Sequence, residues 1–317
     1  MSERLSPDDF AAALRTIGEE RYHHRHPFNE RMHAGQLSRN ALKSWVANRY
    51  YYQTRIPIKD GMILTKSPEA DFQQEWVRRI HDHEGEGPGE GGLELWLQLA
   101  DAVGLERAAV EAFDEVLPGV RRACDAYVEF VAGHDLLESV ASSLTELFAG
   151  FIMHTRIAAF EQHYAWVETS GLDYFKSRTL KAPRDSHYGL GFVTQHAETR
   201  ADQERCLAAL RRKCEILWGL LDAVERGTSR PRLVDHALLR DEPDGSQVVV
   251  LPERAVRVAG SGSEILSLCD GERTGNDVAY EMARRHPQAS RARDDAHEFL
   301  AELSTAGALR FDPEPAG

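Results

Sequence analysis

The sequence predicts an all-α helical bundle over residues 1–226, followed by a small α+β domain of winged-helix-like order over residues 232–317. Apolar residues recur at helical spacing through the first part, and no run there alternates apolar and polar residues as a half-buried strand would. Two short strand patterns and three helical patterns follow in the second part. The composition also differs between the two parts, because lysine does not occur after Lys213. We therefore expect two domains, joined by a linker at residues 227–231.

The first helices are marked by their caps and by a glycine-rich break. Ser6 and Pro7 suit the start of a helix, because a serine side chain accepts from the free amides and proline needs no donor there. Ser38 precedes a long periodic stretch, which Pro57 should kink or end because proline lacks an amide donor. Residues 84–92 form an acidic, glycine-rich loop, after which the helical periodicity resumes.

The later elements follow from periodicity and turn residues. A helical segment is predicted over residues 136–168, another helix from Tyr174, and a last one over residues 200–226. The run GSQVVVLPERAVRVAG predicts two strands joined by a turn. Of the helices beyond it, one should be capped by Thr274, and the last should end at Gly307.

The composition limits the class of partner and the compartment. The net charge of −13 makes the chain unsuited to general binding of nucleic acid or anionic membranes. No apolar run approaches the ~20 residues that span a bilayer, and acids interrupt the N-terminal MSERLSPDDFAAAL, unlike a secretory signal. The four cysteines include no C-x-x-C pair, as expected for reduced structural thiols. These features predict a cytoplasmic protein with no nucleic-acid or membrane partner.

The segment NRYYYQTRIPIK, residues 48–59, combines cations, phenols and an amide. Arg49, Tyr52 and Gln53 are spaced i, i+3, i+4 and therefore share one helix face. Such a wall suits a planar ligand that carries carboxylates. A solvated polar face with half-buried tyrosines is the alternative. Lys59 would be re-aimed by the proline two residues before it.

The segment RIHDHEG, residues 79–85, places His81 and His83 beside acids at the edge of the glycine-rich loop. Alternate histidines can ligate a metal, one can act as a base, or both can interact with a helix C-terminus. A helical di-iron site uses Glu-x-x-His on two helices, and that spacing occurs here once, from Glu20 to His23. The chain also contains no Rossmann glycine pattern, P-loop or G-x-S-x-G motif. The spacing therefore disfavours a di-iron site and leaves the three interpretations of the two histidines open.

Isolated polar and ionic residues on apolar helices are the remaining candidates. A buried ionic residue costs several kcal/mol unless it is paired. These residues are Thr145, Glu146, Arg156, Tyr174, Arg178 and Lys213. Surface ion pairs would explain any one of them, whereas several together indicate a pocket.

The helical part resembles the pyrroloquinoline quinone (PQQ) synthase family. The segments RYHHRHPFN, WVANRYYYQTRIPIKD, RIHDHEG, GGLELWLQLADAVGL, SSLTELFA and ILWGLLDA occur in order across residues 20–225. The C-terminal part resembles the small peptide chaperone of the PQQ pathway through LPERAV, SEILSLCDGERT and FLAELSTAGAL. This resemblance implies a heme-oxygenase-like bundle fused to a peptide-recognition domain.

The resemblance also implies a cofactor-independent oxidase with O₂ as co-substrate, without heme, metal or flavin. Such enzymes close the last ring of PQQ and remove eight electrons from a bicyclic tricarboxylate precursor, with peroxide and water as the products of O₂. The implied partners are this precursor and O₂, with a precursor peptide and a radical-SAM pathway enzyme bound through the C-terminal domain. The peptide is expected to add as a strand beside QVVVL or AVRVA, and the chain to form a homodimer.

By position, the substrate contacts of the family fall on ten residues, and its base and oxygen-site residues fall on three more. The ten are His23, Arg49, Tyr52, Gln53, Lys59, Tyr127, Thr145, Glu146, Arg156 and Lys213, and the three are His83, Tyr174 and Arg178. Five cations among them would offset three carboxylates in a closed site. Many members have histidine where this chain has Met153, and His154 lies ~100° further round the helix.

Two alternatives remain open at this point. One is a metal-dependent paralogue that uses Glu20, His23 or His83. The other is a non-catalytic protein that binds a PQQ intermediate and a peptide.

Overall fold

The computed structural model describes residues 3–316, and its N-terminal part is a bundle of helices. In chain order the helices are α1 (Pro7–Arg21), α2 (Pro27–His33), α3 (Arg39–Leu64), α4 (Ala70–Glu84), α5 (Gly91–Ala102), α6 (Arg107–Glu111), α7 (Pro118–Gly133), α8 (Leu136–Ser142), α9 (Glu146–His163), α10 (Asp173–His196) and α11 (Arg200–Thr228). Short 3-10 turns lie at His23–Arg25, Ser143–Thr145 and Thr169–Leu172. The predicted caps are confirmed, since the side chains of Ser6 and Ser38 each accept a hydrogen bond from a first-turn amide. The all-α class predicted for this part is also confirmed.

Helix α3 runs through the middle of the bundle and packs against α4, α5, α7 and α11. Every residue from Trp45 to Gln53 is buried, so all faces of this stretch contact other parts of the protein. α3 also continues through Pro57 to Leu64, so of the two predicted effects of this proline, the end of the helix is wrong. Packing on all sides holds the helix together despite the backbone bond that proline removes, a loss of about 3 kcal/mol. A second internal proline, Pro183, lies in α10.

The segment expected to be helical over residues 136–168 is interrupted and shorter than expected. It consists of α8, the 3-10 turn at Ser143–Thr145 and α9, and it ends at His163. Contrary to expectation, Leu136–His163 is long and apolar enough to cross a membrane by length and composition. Just over half of its most apolar window is buried inside the bundle, and core helices of bundles meet the same criterion. α9 packs along α10 within that bundle.

The residues expected to form a linker, 227–231, have regular structure instead. They complete α11 and begin strand β1 (Ser229–Leu233), which pairs antiparallel with β5 (Leu309–Pro313) near the end of the chain. Backbone from the C-terminal part also packs tightly against the end of α11. A Cβ added to Gly275 would lie only 2.3 Å from the carbonyl oxygen of Arg226, so there is no room for a side chain at this position. The join is therefore ordered by strand pairing and close packing.

A second sheet contains β2 (Leu238–Asp241), β3 (Gln247–Leu251) and β4 (Arg254–Val258), with β3 in the centre. The predicted pair of strands is confirmed as the β3–β4 hairpin. Since both edges of β3 are occupied, the expectation that a peptide could add beside QVVVL is wrong. Sequence reasoning missed β2 because all four of its residues are exposed, which leaves no buried face for a pattern to reveal.

Three helices complete the C-terminal part: α12 (Ser261–Leu268), α13 (Gly275–Arg285) and α14 (Ala292–Thr305). Their buried side chains join those of β3 and β4 in a second apolar core. Thr274 caps α13, as predicted, and forms a capping box with Asp277. α14 ends at Thr305, and Gly307 follows with a φ of 73°, which favours glycine. The predicted small α+β class is confirmed.

The C-terminal part contacts the helical part through charged side chains. Glu115 accepts hydrogen bonds from Tyr280 and, at 2.9 Å, from Arg293. A further ion pair joins Arg122 to Glu298 at 2.8 Å. These contacts, together with the β1–β5 pairing, hold the two parts together.

Candidate functional site

The predicted site residues converge in the interior of the bundle, on α3, α4, α7, α9, α10 and α11 and on two of the 3-10 turns. Twelve of the thirteen are buried, and Glu146 is half-buried. An ordinary core would hold apolar residues at most of these positions. The site is therefore a cluster of polar and cationic groups enclosed by the bundle.

One wall of the site is formed by stacked and hydrogen-bonded groups from α3, α7 and α11. Nζ of Lys213 donates to the hydroxyl of Tyr52 at 2.8 Å and lies 3.2 Å from the centre of the Tyr127 ring. The guanidinium of Arg49 lies 4.0 Å from the centre of the Tyr52 ring. The contacts of Lys213 with the Tyr127 ring and of Arg49 with the Tyr52 ring are cation–π interactions. Arg49, Tyr52 and Gln53 therefore form a buried wall rather than a solvated face, although Ile58 in the same segment is exposed.

Lys59 takes part in a buried network that the sequence did not reveal. Its Nζ donates to Asp60 at 2.5 Å and to the hydroxyl of Ser143 at 3.0 Å. The indole of Trp76 also donates to Asp60, at 2.9 Å. Lys59 is therefore neutralised by its own neighbour in the chain. The sequence signal that could have revealed this network is Asp60, which directly follows Lys59 in IPIKD.

A second compensated cluster joins α4, α9 and α10. Arg178 donates to Glu146 at 2.6 Å and to Asp185 at 3.3 Å, and Arg79 lies 3.6 Å from Asp185. Burial alone would raise the pKa of Glu146, but the guanidinium groups of Arg178 and Arg79 outweigh it and lower that pKa to about 2. Glu146 is therefore ionised and paired with Arg178. Asp185 and Arg79 were not singled out from the sequence as members of this site.

Tyr174 connects this cluster to the wall on α3. Its hydroxyl donates to Oε1 of Gln53 at 3.1 Å, and its ring packs edge-on against Trp96. The glycine-rich loop ends against the same ring, since a Cβ on Gly92 would lie 3.4 Å from Tyr174 and 3.6 Å from the Cα of His83. The Tyr174 ring and the backbone of His83 therefore both pack close to Gly92, at the end of this loop.

The two alternate histidines have different environments. His83 is buried, whereas His81 is exposed and lies 3.7 Å from Glu86. Nδ1 of His83 is 3.1 Å from the carbonyl oxygen of Arg79, which can only accept, so Nδ1 holds the proton. Burial, followed by the charge of Arg178, lowers the pKa of His83 to about 4. At neutral pH His83 is therefore uncharged, with its Nε2 lone pair able to accept a proton.

The structure locates two features that the sequence left uncertain, the methionine in the oxygen site and the single Glu-x-x-His spacing. Met153 is buried and His154 is exposed, so His154 does not replace the missing histidine. Glu20 lies on the surface while His23 is buried, so this Glu-x-x-His spacing does not form a pair. Within residues 3–316 there is no group of three or more His, Cys, Asp or Glu side chains placed to hold a metal ion.

Positive charge exceeds negative charge on the side of the site lined by α3, α9 and α11. Arg49 Nη1 and Arg156 Nε are buried and have no hydrogen-bond partner within residues 3–316. Burial, followed by the charges of Lys59 and Arg49, holds the pKa of Lys213 well below its ordinary value. Burial and the charge of Arg49 lower the pKa of Arg156 to about 10. This arrangement is suited to a ligand that brings several negative charges.

Comparison with known proteins gives the family. Residues 11–223 match the model of the TENA/THI-4/PQQC family, and residues 247–309 match that of coenzyme PQQ synthesis protein D (PqqD). The pyrroloquinoline-quinone synthase of Gluconobacter oxydans is 47% identical over 221 residues, which cover 70% of this chain and 92% of that protein. The enzyme of the same name from Cronobacter sakazakii is 45% identical over 237 residues, covering 75% and 94%.

Solved structures show the same fold at low sequence identity. A domain of unknown function with a heme oxygenase-like fold from Shewanella denitrificans aligns with a TM-score of 0.54 at 13% identity, covering 68% of this chain and 89% of that one. A TenA homolog from Pseudomonas syringae aligns with a TM-score of 0.54 at 10% identity, covering 70% and 97%. The heme-oxygenase-like fold predicted for the helical part is therefore confirmed. The chain belongs to the TENA/THI-4/PQQC family, as a homologue of the pyrroloquinoline-quinone synthases that carries a PqqD domain at its C-terminus.

Proposed function

We propose that the chain catalyses the last step of PQQ biosynthesis. In this step the bicyclic precursor 6-(2-amino-2-carboxyethyl)-7,8-dioxo-hexahydroquinoline-2,4-dicarboxylate undergoes ring closure and loses eight electrons to O₂, with release of H₂O₂. The observation that carries the proposal is the pair of buried guanidinium nitrogens without partners within residues 3–316, on Arg49 and Arg156. A buried charged donor without an acceptor costs several kcal/mol, and carboxylate oxygens would remove that cost. The relatives described above are pyrroloquinoline-quinone synthases, and a site of this kind would suit the reaction in that name.

The charges of the site match those of the proposed substrate. Lys59 and Arg178 are already paired with Asp60 and Glu146. The remaining basic groups of the site are Arg49, Arg156 and Lys213, of which Lys213 would take up a proton when a carboxylate binds. Three cations would then meet three carboxylates in a water-poor interior, where charge-assisted hydrogen bonds are strong. The ring system would lie against the tyrosines of the α3 wall.

The chemistry assigned to the residues follows from their protonation states. His83 would accept protons at Nε2 during ring closure and oxidation, because its ring is neutral and its Nδ1 proton is held by a carbonyl. Tyr174 and Arg178, which lie near His83, would bind O₂ and stabilise its reduced forms. Electrons would come from the quinol form of the substrate, so the proposal includes no cofactor and no metal. Each O₂ takes two electrons to become peroxide or four to become water, and together these products account for the eight electrons.

The PqqD domain suggests partners among the peptides and enzymes of the same pathway. We propose that it binds the precursor peptide, and a radical-SAM enzyme of the pathway, at an edge of its three-stranded sheet. Within residues 3–316 the edges of this sheet are β2 and β4. An edge strand offers free backbone groups to an added strand, and alternate side chains supply specificity. The homodimer and the cytoplasmic location remain predictions.

The test is conversion of the precursor by the purified full chain in air, after treatment with a chelator and measurement of bound metals. The proposal expects PQQ and H₂O₂ to form without added metal. Turnover that requires a metal would favour the metal-dependent paralogue. Binding of the precursor without turnover would favour the non-catalytic binding protein.

A further inference from the structure

Asn29, at the buried side of α2, connects two residues of the site. It is fully buried. Its Oδ1 accepts a hydrogen bond from Nη2 of Arg156 at 3.3 Å. Its Nδ2 donates to the carbonyl oxygen of His23 at 2.7 Å and lies 3.1 Å from Nδ1 of the same histidine. All of the polar atoms of this side chain therefore contact His23 or Arg156.

The orientation of the Asn29 amide is determined by its neighbours. A guanidinium can only donate, so the atom of Asn29 that faces Arg156 must be the oxygen. A backbone carbonyl can only accept, so the atom that faces the carbonyl of His23 must be the nitrogen. Both requirements select the same orientation. A flipped amide would place donor against donor on one side and acceptor against acceptor on the other.

This orientation determines which nitrogen of His23 carries the proton. One hydrogen of the Asn29 amide is directed to the backbone carbonyl, and the other is directed to Nδ1 of the ring. Nδ1 must then accept, so the proton of a neutral ring lies on Nε2. The ring is neutral because burial, followed by the charges of Arg49 and Arg156, holds the pKa of His23 well below its ordinary value.

The two buried histidines of the site therefore have opposite tautomers. His83 holds its proton on Nδ1, against the carbonyl of Arg79, and presents a lone pair at Nε2. His23 accepts at Nδ1, from Asn29, and presents a proton at Nε2. A ring with a proton at Nε2 can donate to an anionic oxygen but cannot act there as a base.

We propose that Asn29 is a positioning residue, which holds His23 as a neutral Nε2–H donor and orients Arg156, so that both donate to an anionic oxygen of the ligand. The identity of the ligand rests on the proposed function, whereas the tautomer rests only on the contacts within the protein. The structure thereby assigns binding to His23 and proton acceptance to His83. Asn29 contributes to the site through its neighbours and need not touch the ligand.

The direct measurement is the ¹⁵N spectrum of the histidine side chains in the unliganded full chain at neutral pH. We expect His23 to be protonated at Nε2 and His83 at Nδ1. His26 supplies an internal reference, because its Nδ1 accepts from the amide of Phe28 at 3.1 Å and its proton must also lie on Nε2. Protonation of His23 at Nδ1 would overturn the proposal, whether or not the chain binds PQQ.

The substitution Asn29→Asp changes the hydrogen-bonding pattern while keeping the shape of the side chain. A carboxylate only accepts, so it should move the proton of His23 to Nδ1 or make the ring cationic, while His26 and His83 stay unchanged. With its donor lost and Arg156 neutralised, the site should bind PQQ about 10- to 100-fold more weakly. An unchanged His23 spectrum together with an unchanged PQQ dissociation constant would contradict the proposal.

Asn48→Asp is the matched control. Asn48 is also fully buried, and its Nδ2 donates to the carbonyl oxygens of Ser44 and Glu115, at 2.9 and 3.2 Å. This variant should lose stability without a change in the His23 tautomer, so a spectrum altered equally in both variants would show a merely structural effect and overturn the proposal. If wild type fails to bind PQQ while His23 shows the expected tautomer, the proposed ligand is wrong and the positioning by Asn29 stands.

Discussion

Replacing Lys213 with methionine should make the free protein more stable and its ligand complex weaker. Lys213 is buried, and the hydrogen bond of its Nζ is to the phenol of Tyr52 rather than to a carboxylate. Burial, followed by the charges of Lys59 and Arg49, holds its pKa well below the ordinary value. Folding therefore disfavours the charged amine. Methionine keeps the unbranched shape and removes the charge.

The expected gain in stability follows from proton linkage. Between the lowered pKa of Lys213 and its unfolded value of ~10.4, the unfolded chain binds a proton that the folded chain releases, so wild-type stability should rise with pH in that range. The variant should lack this rise. Replacing an uncompensated buried ionic group by an apolar one gains about 1–4 kcal/mol, and losing the bond to Tyr52 costs about 1 kcal/mol. At neutral pH the net gain should therefore be about 0–3 kcal/mol, or up to roughly 12 °C in Tm.

The loss in binding is larger. A ligand carboxylate ~4 Å from Nζ of Lys213 contributes about 4 kcal/mol at an effective dielectric constant of ~20, which corresponds to about a thousandfold in proton affinity. PQQ should therefore draw a proton onto Lys213 as it binds. The Lys213→Met variant should bind PQQ about 10²- to 10³-fold more weakly and without that proton uptake. Affinity in the wild type should fall as the pH rises through the pKa of the amine in the complex.

Two assays test this prediction. Calorimetric titration with PQQ, in two buffers of different ionisation enthalpy, counts the protons taken up, and thermal unfolding without ligand gives the stability. Lys176→Met is the matched control, because Lys176 is exposed on α10 and pairs with Asp173 at 2.9 Å. That variant should change neither quantity appreciably. A Lys213→Met protein that is less stable than wild type and binds PQQ equally well would refute the reasoning.

Three further predictions concern turnover and partners. His83→Asn should lower turnover by roughly 10²- to 10⁴-fold while PQQ binding is retained, and wild-type activity should fall as the pH approaches about 4, where Nε2 becomes protonated; steady-state kinetics showing near-normal turnover in the variant would remove His83 from the mechanism. Arg49→Ala should mainly raise KM, whereas Arg178→Ala should mainly lower kcat and let a partly oxidised species accumulate, so identical kinetic profiles for the two would contradict the assigned roles. In a titration of the full chain at moderate salt, the precursor peptide should bind and duplex DNA should not; salt-sensitive DNA binding without peptide binding would contradict a peptide-recognition role.

Local signals predicted much of the fold. The caps at Ser6, Ser38 and Thr274 and the glycine-rich break before α5 depend on a few neighbouring residues, so the sequence alone reveals them. The continuation of α3 through Pro57 depends on packing by four other helices, which no local pattern records. Strand β1 was predicted as a linker because its partner β5 lies near the other end of the C-terminal part.

The site shows the same division between local and distant information. Residue types and their spacing indicated a pocket, and the family resemblance indicated which residues line it. Neither could give the pairing of Glu146 with Arg178 or of Lys213 with Tyr52, whose partners lie 32 and 161 residues apart in the chain. These contacts separate the cations that are already neutralised from those that remain for a ligand.

The most direct test of the central claim is to mix an oxygen-free complex of the full chain and the precursor with a measured amount of O₂. The absorbance of the quinone, the O₂ consumed and the H₂O₂ released are recorded in the same sample, with chelator present. The account predicts that the precursor binds without O₂, stays unconverted until O₂ is added, and then becomes PQQ with release of H₂O₂. Conversion in the absence of O₂, or no PQQ after O₂ is added to the bound precursor, would contradict it.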